Sequence, residues 1–311
     1  MAASTICECD GSALAGLATQ SVAYFSVGAV FFAFACEMDA VFPGLCGKLD
    51  LFADDTRCID LRIIADRVPR IPSMNMAPAF DSGALWELFH DGEELVFDFT
   101  SPAVGSTPYK RMRVDRRFAS AHIAMSAEML AQHSSVSPLE YPADELLITN
   151  HLAARGLGVE VHGCGLIDAE SGGHLFLGHS GAGKSTTTRI WKSSRDPEVL
   201  SDDRIILRLH DGELWMYGTP WHGEAELASP GKTKLSRVFV LQHGPRNEIR
   251  ALTKSQAVGE VFARSFPPFH SATGLERTLD FINRALDVVP CYEFQFVPGE
   301  GAVKAVLDFH D

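Results

Sequence analysis

Short apolar runs, broken every few residues by Pro, Gly, Asp and Ser, dominate the first 135 positions of the chain. Residues 24–34 predict a strand or hairpin, and 62–65, 94–99 and 121–125 predict further short strands. The stretch 110–117, K-R-M-R-V-D-R-R, predicts a half-exposed strand with its charges in water, with an anion-binding patch as the alternative. Residues 1–20 are small and weakly polar, without periodicity, and predict a mobile tail.

From residue 135 the pattern changes. Pro138 and Pro142 bracket a junction, and Pro142 suits the first turn of a helix that runs through 144–155 and stops at Gly156. Asp144 and Glu145 in its first turn and Arg155 in its last agree with the helix dipole. Residues 158–162 predict a strand, joined by a turn near 168–173 to a second apolar strand at 174–177. A helix without Gly or Pro follows over 185–192. Further strands are predicted at 205–207, 214–217, 238–241 and 291–297, with Asp211-Gly212 marking a hairpin. Helices are expected at 255–265, at 275–287 with Leu275, Leu279, Ile282 and Leu286 as the core face, and over 301–309. The segment 218–224, G-T-P-W-H-G-E, reads either as a lid or acceptor clamp or as a surface turn pinned by Trp221. No internal repeat or low-complexity tract interrupts this order.

The predicted organisation is therefore a tail at 1–20, a β-rich domain at 21–136, and an α/β domain at 137–311 with a mixed sheet and flanking helices. With 46% hydrophobic and 22% charged residues, a chain of 311 residues can bury a sizeable core. Its formal net charge of -13 argues against a nucleic-acid partner, which would need basic patches. No basic segment followed by an apolar core opens the chain, so no secretory signal is expected. The most apolar stretch, 23–36, is too short to span a membrane as a helix, and its Phe and Val favour strands. Seven scattered cysteines, an odd number, do not suggest a disulfide framework. Cys7-Glu8-Cys9 could hold a metal, but no second ligand pair accompanies it. A reduced, cytoplasmic setting is the expectation.

The chemistry concentrates at residues 178–186, G-H-S-G-A-G-K-S-T. Gly178, Gly183, Lys184 and Ser185 have the spacing of a phosphate-binding loop. Glycines let the backbone turn tightly, so that several N–H groups, here those of the run His179, Ser180, Gly181, Ala182 and Gly183, can converge on a polyphosphate. Lys184 adds a point charge for the β/γ-phosphates, the Ser185 hydroxyl can ligate Mg2+, and Thr186 continues the loop into the helix. A strand before the loop and a helix after it are what this mechanism requires. Downstream, Ser201-Asp202-Asp203 interrupts a strand. One carboxylate there can hold Mg2+ and the other can accept a proton from an alcohol. The alternative is a pair of solvated turn acids.

Together these residues resemble the C-terminal catalytic domain of HPr kinase/phosphorylase and its relatives. The resemblance rests on His162-Gly163 ahead of the loop, on G-x-S-G-x-G-K-S at 178–185, and on Ser201-Asp202-Asp203 after one helix. It spans roughly residues 140–300. It implies a phosphate-loop kinase fold of the HPr kinase/phosphoenolpyruvate carboxykinase type, with ATP and Mg2+ as cofactors. It further implies that Lys184 binds the β/γ-phosphates, that Ser185 and Asp203 bind Mg2+, that Asp202 is the general base, and that His162 lies near the transferring phosphate. Thr186 stands where the family has an acid. Gly244-Pro245-Arg246-Asn247 only partly echoes the family's phosphorylase-linked segment. The implied activity is transfer of the γ-phosphate to a serine-like hydroxyl of a protein, peptide or small molecule, with a homo-oligomer left open and no membrane partner. A carboxykinase-like lyase and a non-catalytic ATP-binding regulatory module are the alternatives.

Overall fold

The computed structural model describes residues 22–36, 48–56, 58–102, 105–131 and 136–310. The tail expected at 1–20 and the Cys7-Glu8-Cys9 pair lie outside them. The chain divides into two compact units, Met1–Ser26 with Val30–Leu147, and Val27–Ala29 with Ile148–Asp311.

The first unit is built on one sheet. Its strands are β1 (Val22–Val27), β2 (Val30–Cys36), β3 (Leu61–Val68), β4 (Phe80–Asp81), β5 (Trp86–Asp91), β6 (Glu94–Ser101), β7 (Gly105–Asp115) and β8 (Ser120–Ser126), followed by the short helix α1 (Ala127–Leu130). They lie in the order β1-β2-β3-β8-β7-β6-β5-β4. β3 is parallel to both β2 and β8, and the run from β8 to β4 is antiparallel. In β3 the side chains of Leu61, Ile63 and Ala65 are buried and alternate with partly exposed neighbours, the period-two signature of a strand with one covered face.

The basic stretch at 110–117 is placed differently from the sequence expectation. Lys110 and Arg111 are both buried. They are consecutive on an interior strand, so both faces of β7 are covered at that level. Arg111 pairs with Asp98 through two hydrogen bonds, at 2.5 and 2.6 Å. Lys110 Nζ lies 3.4 Å from the Glu140 carboxylate and within 3.4 Å of the Ser137 and Pro138 carbonyls. Charge composition alone could not show this, because the partners lie 13 and 30 residues away.

The second unit contains a mixed sheet with helices on both faces. Its elements run α2 (Ala143–Ala153), β9 (Gly158–Asp168), β10 (Gly172–Leu177), α3 (Lys184–Arg195), β11 (Glu198–Ser201), β12 (Arg204–His210), β13 (Glu213–Tyr217) and β14 (Lys232–His243). β15 (Glu248–Ala251), α4 (Lys254–Ala263), α5 (Ala272–Val288), β16 (Cys291–Phe296) and α6 (Glu300–Leu307) complete it. The division between the units falls inside α2. Strand order is β10-β9-β12-β13-β14-β16-β15, and an added β10–β14 pairing closes five of these strands into a ring. β10, β14 and β16 run parallel.

Strand alternation sorts the core into two layers. Leu175 and Leu177 face a cluster that includes Val261 of α4 and Phe281 and Ile282 of α5. Phe176, between them, faces a second cluster with Trp191 of α3 and Val303 of α6. β10, which feeds the glycine loop, is thus buried on both sides. The Asp211-Gly212 hairpin forms as expected, both residues taking positive φ, 51° and 76°. The buried stripe of α5 is shifted from the expected one. Gly274, Thr278, Phe281, Ile282 and Ala285 face inward, while Leu279 is 37% exposed. Phe281, the largest side chain of the helix, centres the stripe, and the four-residue leucine spacing runs along its edge.

Candidate functional site

The glycine loop leaves β10 at Leu177 and enters α3 at Lys184. Gly178 is buried, His179, Ser180 and Gly181 are exposed, and Ala182, Ser185 and Thr186 are half-buried. Gly178 N–H donates to the His162 carbonyl at 3.1 Å, and Ala182 N–H to the His179 carbonyl at 3.0 Å. Gly183 is required by its surroundings. Its φ is +103°, and a Cβ there would stand 2.5 Å from the Phe296 ring. His243 Nε2 donates to the Gly181 carbonyl at 2.9 Å, bracing the loop from the end of β14.

The start of α3 is electrostatically unanswered. Among the helices of this unit, α2 and α6 carry acids in their first turns, and α4 and α5 have side-chain caps from Thr253 and Ser271. α3 has neither. Its first-turn N–H groups and the positive end of its dipole therefore face the glycine loop without an anionic complement. Lys184 adds to that field. Its buried ammonium donates to the carbonyls of Gly178 and His179 at 3.0 and 3.3 Å and lies 3.9 Å from Asp203 Oδ1. Burial lowers its pKa, against the opposing pull of Asp203.

The two neighbouring aspartates part company. β11 and β12 both lie along β9, and the break between them is Asp202-Asp203. Asp203 turns toward the loop. Its Oδ1 accepts from His162 Nε2 at 2.9 Å and its Oδ2 from Arg204 Nε at 3.1 Å. Burial raises its pKa, but the His162 hydrogen bond and the charges of His162 and Arg204 outweigh that and lower it to about 2. Arg204 is itself held by Glu160 at 3.1 Å and stacks on Phe266, 3.9 Å from the ring centroid. The His162 backbone is fixed on both sides, its N–H donating to Arg264 at 2.7 Å.

Asp202 turns the other way and is 1% exposed. Its Oδ1 accepts from the backbone N–H groups of Gly223 and Leu227, at 3.0 and 3.4 Å, and its Oδ2 from that of Ala225 at 3.0 Å. Gly223 permits this approach, since a Cβ there would lie 2.9 Å from Asp202 Oδ2. Ser201 Oγ donates to the Trp221 carbonyl at 2.8 Å, and Trp221 is buried. The segment 218–227 is thereby pegged at two points against the aspartate break.

The fold thus brings Lys184, Asp203 and His162 together, with Asp202 adjacent but directed into the loop behind them. Arg204, Glu160, Phe266, His243 and Phe296 were not among the expected site residues. No local motif marks the others, which arrive from β9, β14, β16 and the segment after α4, whereas Arg204 directly follows the Asp202-Asp203 pair. Among the described residues no cluster of three or more His, Cys, Asp or Glu could form a metal cage. One carboxylate and one hydroxyl, Asp203 and Ser185, suit Mg2+, which commonly takes one or two carboxylates and fills its remaining positions with phosphate oxygens and water.

Fold and site define a mixed α/β protein with two large mixed sheets. No protein-family model matches the chain, and no curated protein matches it. Among solved structures it is similar to the Hpr(Ser) kinase/phosphatase from Coxiella burnetii, at 12% identity and a TM-score of 0.26, over 48% of this chain and 90% of that one. No helix among the described residues is long and apolar enough to cross a membrane.

Proposed function

We propose that the second unit binds ATP with Mg2+ and transfers the γ-phosphate to an alcohol acceptor. The observation that carries this reading is the uncapped, acid-free start of α3, with a buried lysine directed at a carboxylate 3.9 Å away. Lys184 exchanges its hydrogen bonds to Gly178 and His179 for β/γ-phosphate oxygens. The N–H groups of the loop and the first turn of α3 hold the rest of the chain of phosphates. Asp203 and Ser185 are the residues that would hold Mg2+, which when bound would supply charge neutralisation for the phosphates. His162 and Arg204 fix Asp203 in its orientation. Phosphoryl transfer needs positioning and charge more than covalent chemistry, and these residues supply both.

Asp202 acts in this proposal by holding the segment 218–227 beside the site. The three backbone amides already on its carboxylate favour that role over the base role implied by the family resemblance. The acceptor is a hydroxyl on a protein, peptide or small molecule: its oxygen bonds the γ-phosphorus as the bond to the β–γ bridging oxygen breaks, ADP leaves, and the hydroxyl proton passes to water. Incubating the full chain with γ-labelled ATP, Mg2+ and a cell lysate tests the proposal. Transfer to a discrete acceptor, lost in Lys184→Met, is expected. Tight ATP binding with no labelled product would favour a sensor, and oxaloacetate-dependent turnover a carboxykinase.

A further inference from the structure

One open groove, of about 430 Å3, lies between α3 and the segment joining β16 to α6 and reaches the end of the glycine loop at Thr186. Thr186, Arg189, Ile190 and Ser193 of α3 line one wall, and Pro298 and Glu300 the other. The α3 residues recur at i, i+3, i+4 and i+7, so they form one helix face. Lys184 lies two positions before Thr186, about 200° around the helix at 3.6 residues per turn. The groove and the Lys184–Asp203 pair therefore leave the loop in opposite directions.

We infer that this groove receives the nucleoside, ribose and base, of the triphosphate whose phosphates lie on the loop. The inference rests on the nucleotide reading above and extends it. If the reacting phosphate lies by Lys184 and Asp203, the other end of the molecule has to leave across Thr186. Arg189 marks that exit. Its guanidinium donates to the Ser185 carbonyl at 3.2 Å and to Thr186 Oγ1 at 3.4 Å, which puts a cation where the α-phosphate meets the groove. From Thr186 to Ser193 the helix advances about 10 Å, enough for a ribose and a base in sequence. Ile190 and Pro298 give a flat ring apolar surface on both walls. The Glu300 carboxylate can accept from a base amino group or a ribose hydroxyl, and the Ser193 hydroxyl can bond either. The volume is that of a small-ligand site. The second wall is anchored to the loop, because it follows Phe296, whose ring packs on Gly183.

Calorimetric titration of the full chain with ATP and with inorganic tripolyphosphate, each with Mg2+, separates the groove from the loop. Wild type should bind ATP at least about tenfold tighter than tripolyphosphate. Ser193→Trp, at an exposed helix position, fills the groove and should remove most of that preference while leaving tripolyphosphate affinity within about twofold. Retained tripolyphosphate binding also shows that the variant is folded. Glu300→Gln, a smaller change, should weaken ATP alone by several-fold. Equal affinities in wild type, or ATP binding unchanged in both variants, would overturn the groove assignment while leaving the phosphate site intact. Binding of neither ligand by wild type would overturn the nucleotide reading and the groove with it.

Discussion

Among the described residues, Lys110 on β7 and Lys184 at the head of α3 are the lysines whose side chains are buried. Lys110 sits within one finished network of the first sheet, 3.4 Å from a carboxylate, beside two carbonyls and over the Phe99 ring at 4.8 Å. Lys184 is answered mainly by two carbonyls of its own loop, and its carboxylate, at 3.9 Å, is already shared with His162 and Arg204. A buried cation with a close partner is architecture. One whose carboxylate is distant and shared, at a helix start lacking both cap and acid, is placed to take up an anion. The same residue type therefore has opposite meanings in the two sheets.

Exchanging both lysines for methionine sharpens that contrast most. Lys184→Met should weaken Mg-ATP binding about a hundredfold or more, about 3 kcal/mol, with thermal stability unchanged or raised, because a desolvated ammonium has been removed. Lys110→Met should do the reverse, lowering stability by about 1–3 kcal/mol through the orphaned polar partners while the folded protein keeps its ATP affinity. Paired melting and binding curves check both. Similar behaviour of the two variants would erase the distinction.

His174 offers a second test of a buried group away from the site, at the other end of β10 from the loop. Its Nε2 meets Ser171 Oγ at 2.8 Å, its ring packs on Trp191 at 4.6 Å, and burial pulls its pKa from 6.5 down to about 4. The unfolded chain takes up this proton below about 6.5, whereas the folded protein stays neutral until about 4. Stability should therefore fall as pH drops across that window, by up to about 3 kcal/mol, and then level off. His174→Gln should flatten that segment of the stability-versus-pH curve without affecting Mg-ATP binding.

Asp202 and Asp203 set the same contrast between adjacent residues. Asp202→Asn trades an acceptor oxygen for an amide that cannot receive the loop N–H groups. It should lower stability by about 1–3 kcal/mol while ATP affinity holds within a few-fold. Asp203→Asn should weaken the Mg2+ dependence of ATP binding, which Asp202→Asn leaves intact. It should also lower stability by about 1–2 kcal/mol, because the carboxylate paired with His162 and Arg204 is lost. A normally stable Asp202→Asn protein that binds ATP but has lost turnover would return Asp202 to the base role.

Much of this was legible in the sequence. The glycine loop, its strand and helix, the Asp211-Gly212 hairpin and the strand pair leading into the loop are written in local spacing, where turn geometry and periodicity act over a few residues. The parting of Asp202 and Asp203 was not. Which neighbour faces the loop depends on how β11 and β12 are seated on β9, a long-range fact. Burial of Lys110 and Arg111 was hidden for the same reason, since a basic run looks alike on an edge strand and an interior one. The buried face of α5 departs from its leucine spacing because Phe281, the largest side chain of the helix, centres the stripe. His243 and Phe296 brace the loop from 60 or more residues downstream of Gly181, and no motif announces them.

The central claim is that the open end of α3 is an anion site. Backbone amide spectra of the isotope-labelled full chain, recorded as Mg-ATP is added, address it directly. The largest shifts should fall at Gly181, Gly183, Lys184, Ser185 and Thr186, and should be absent in Lys184→Met. Unmoved amides there, with shifts concentrated elsewhere in the chain, would contradict it.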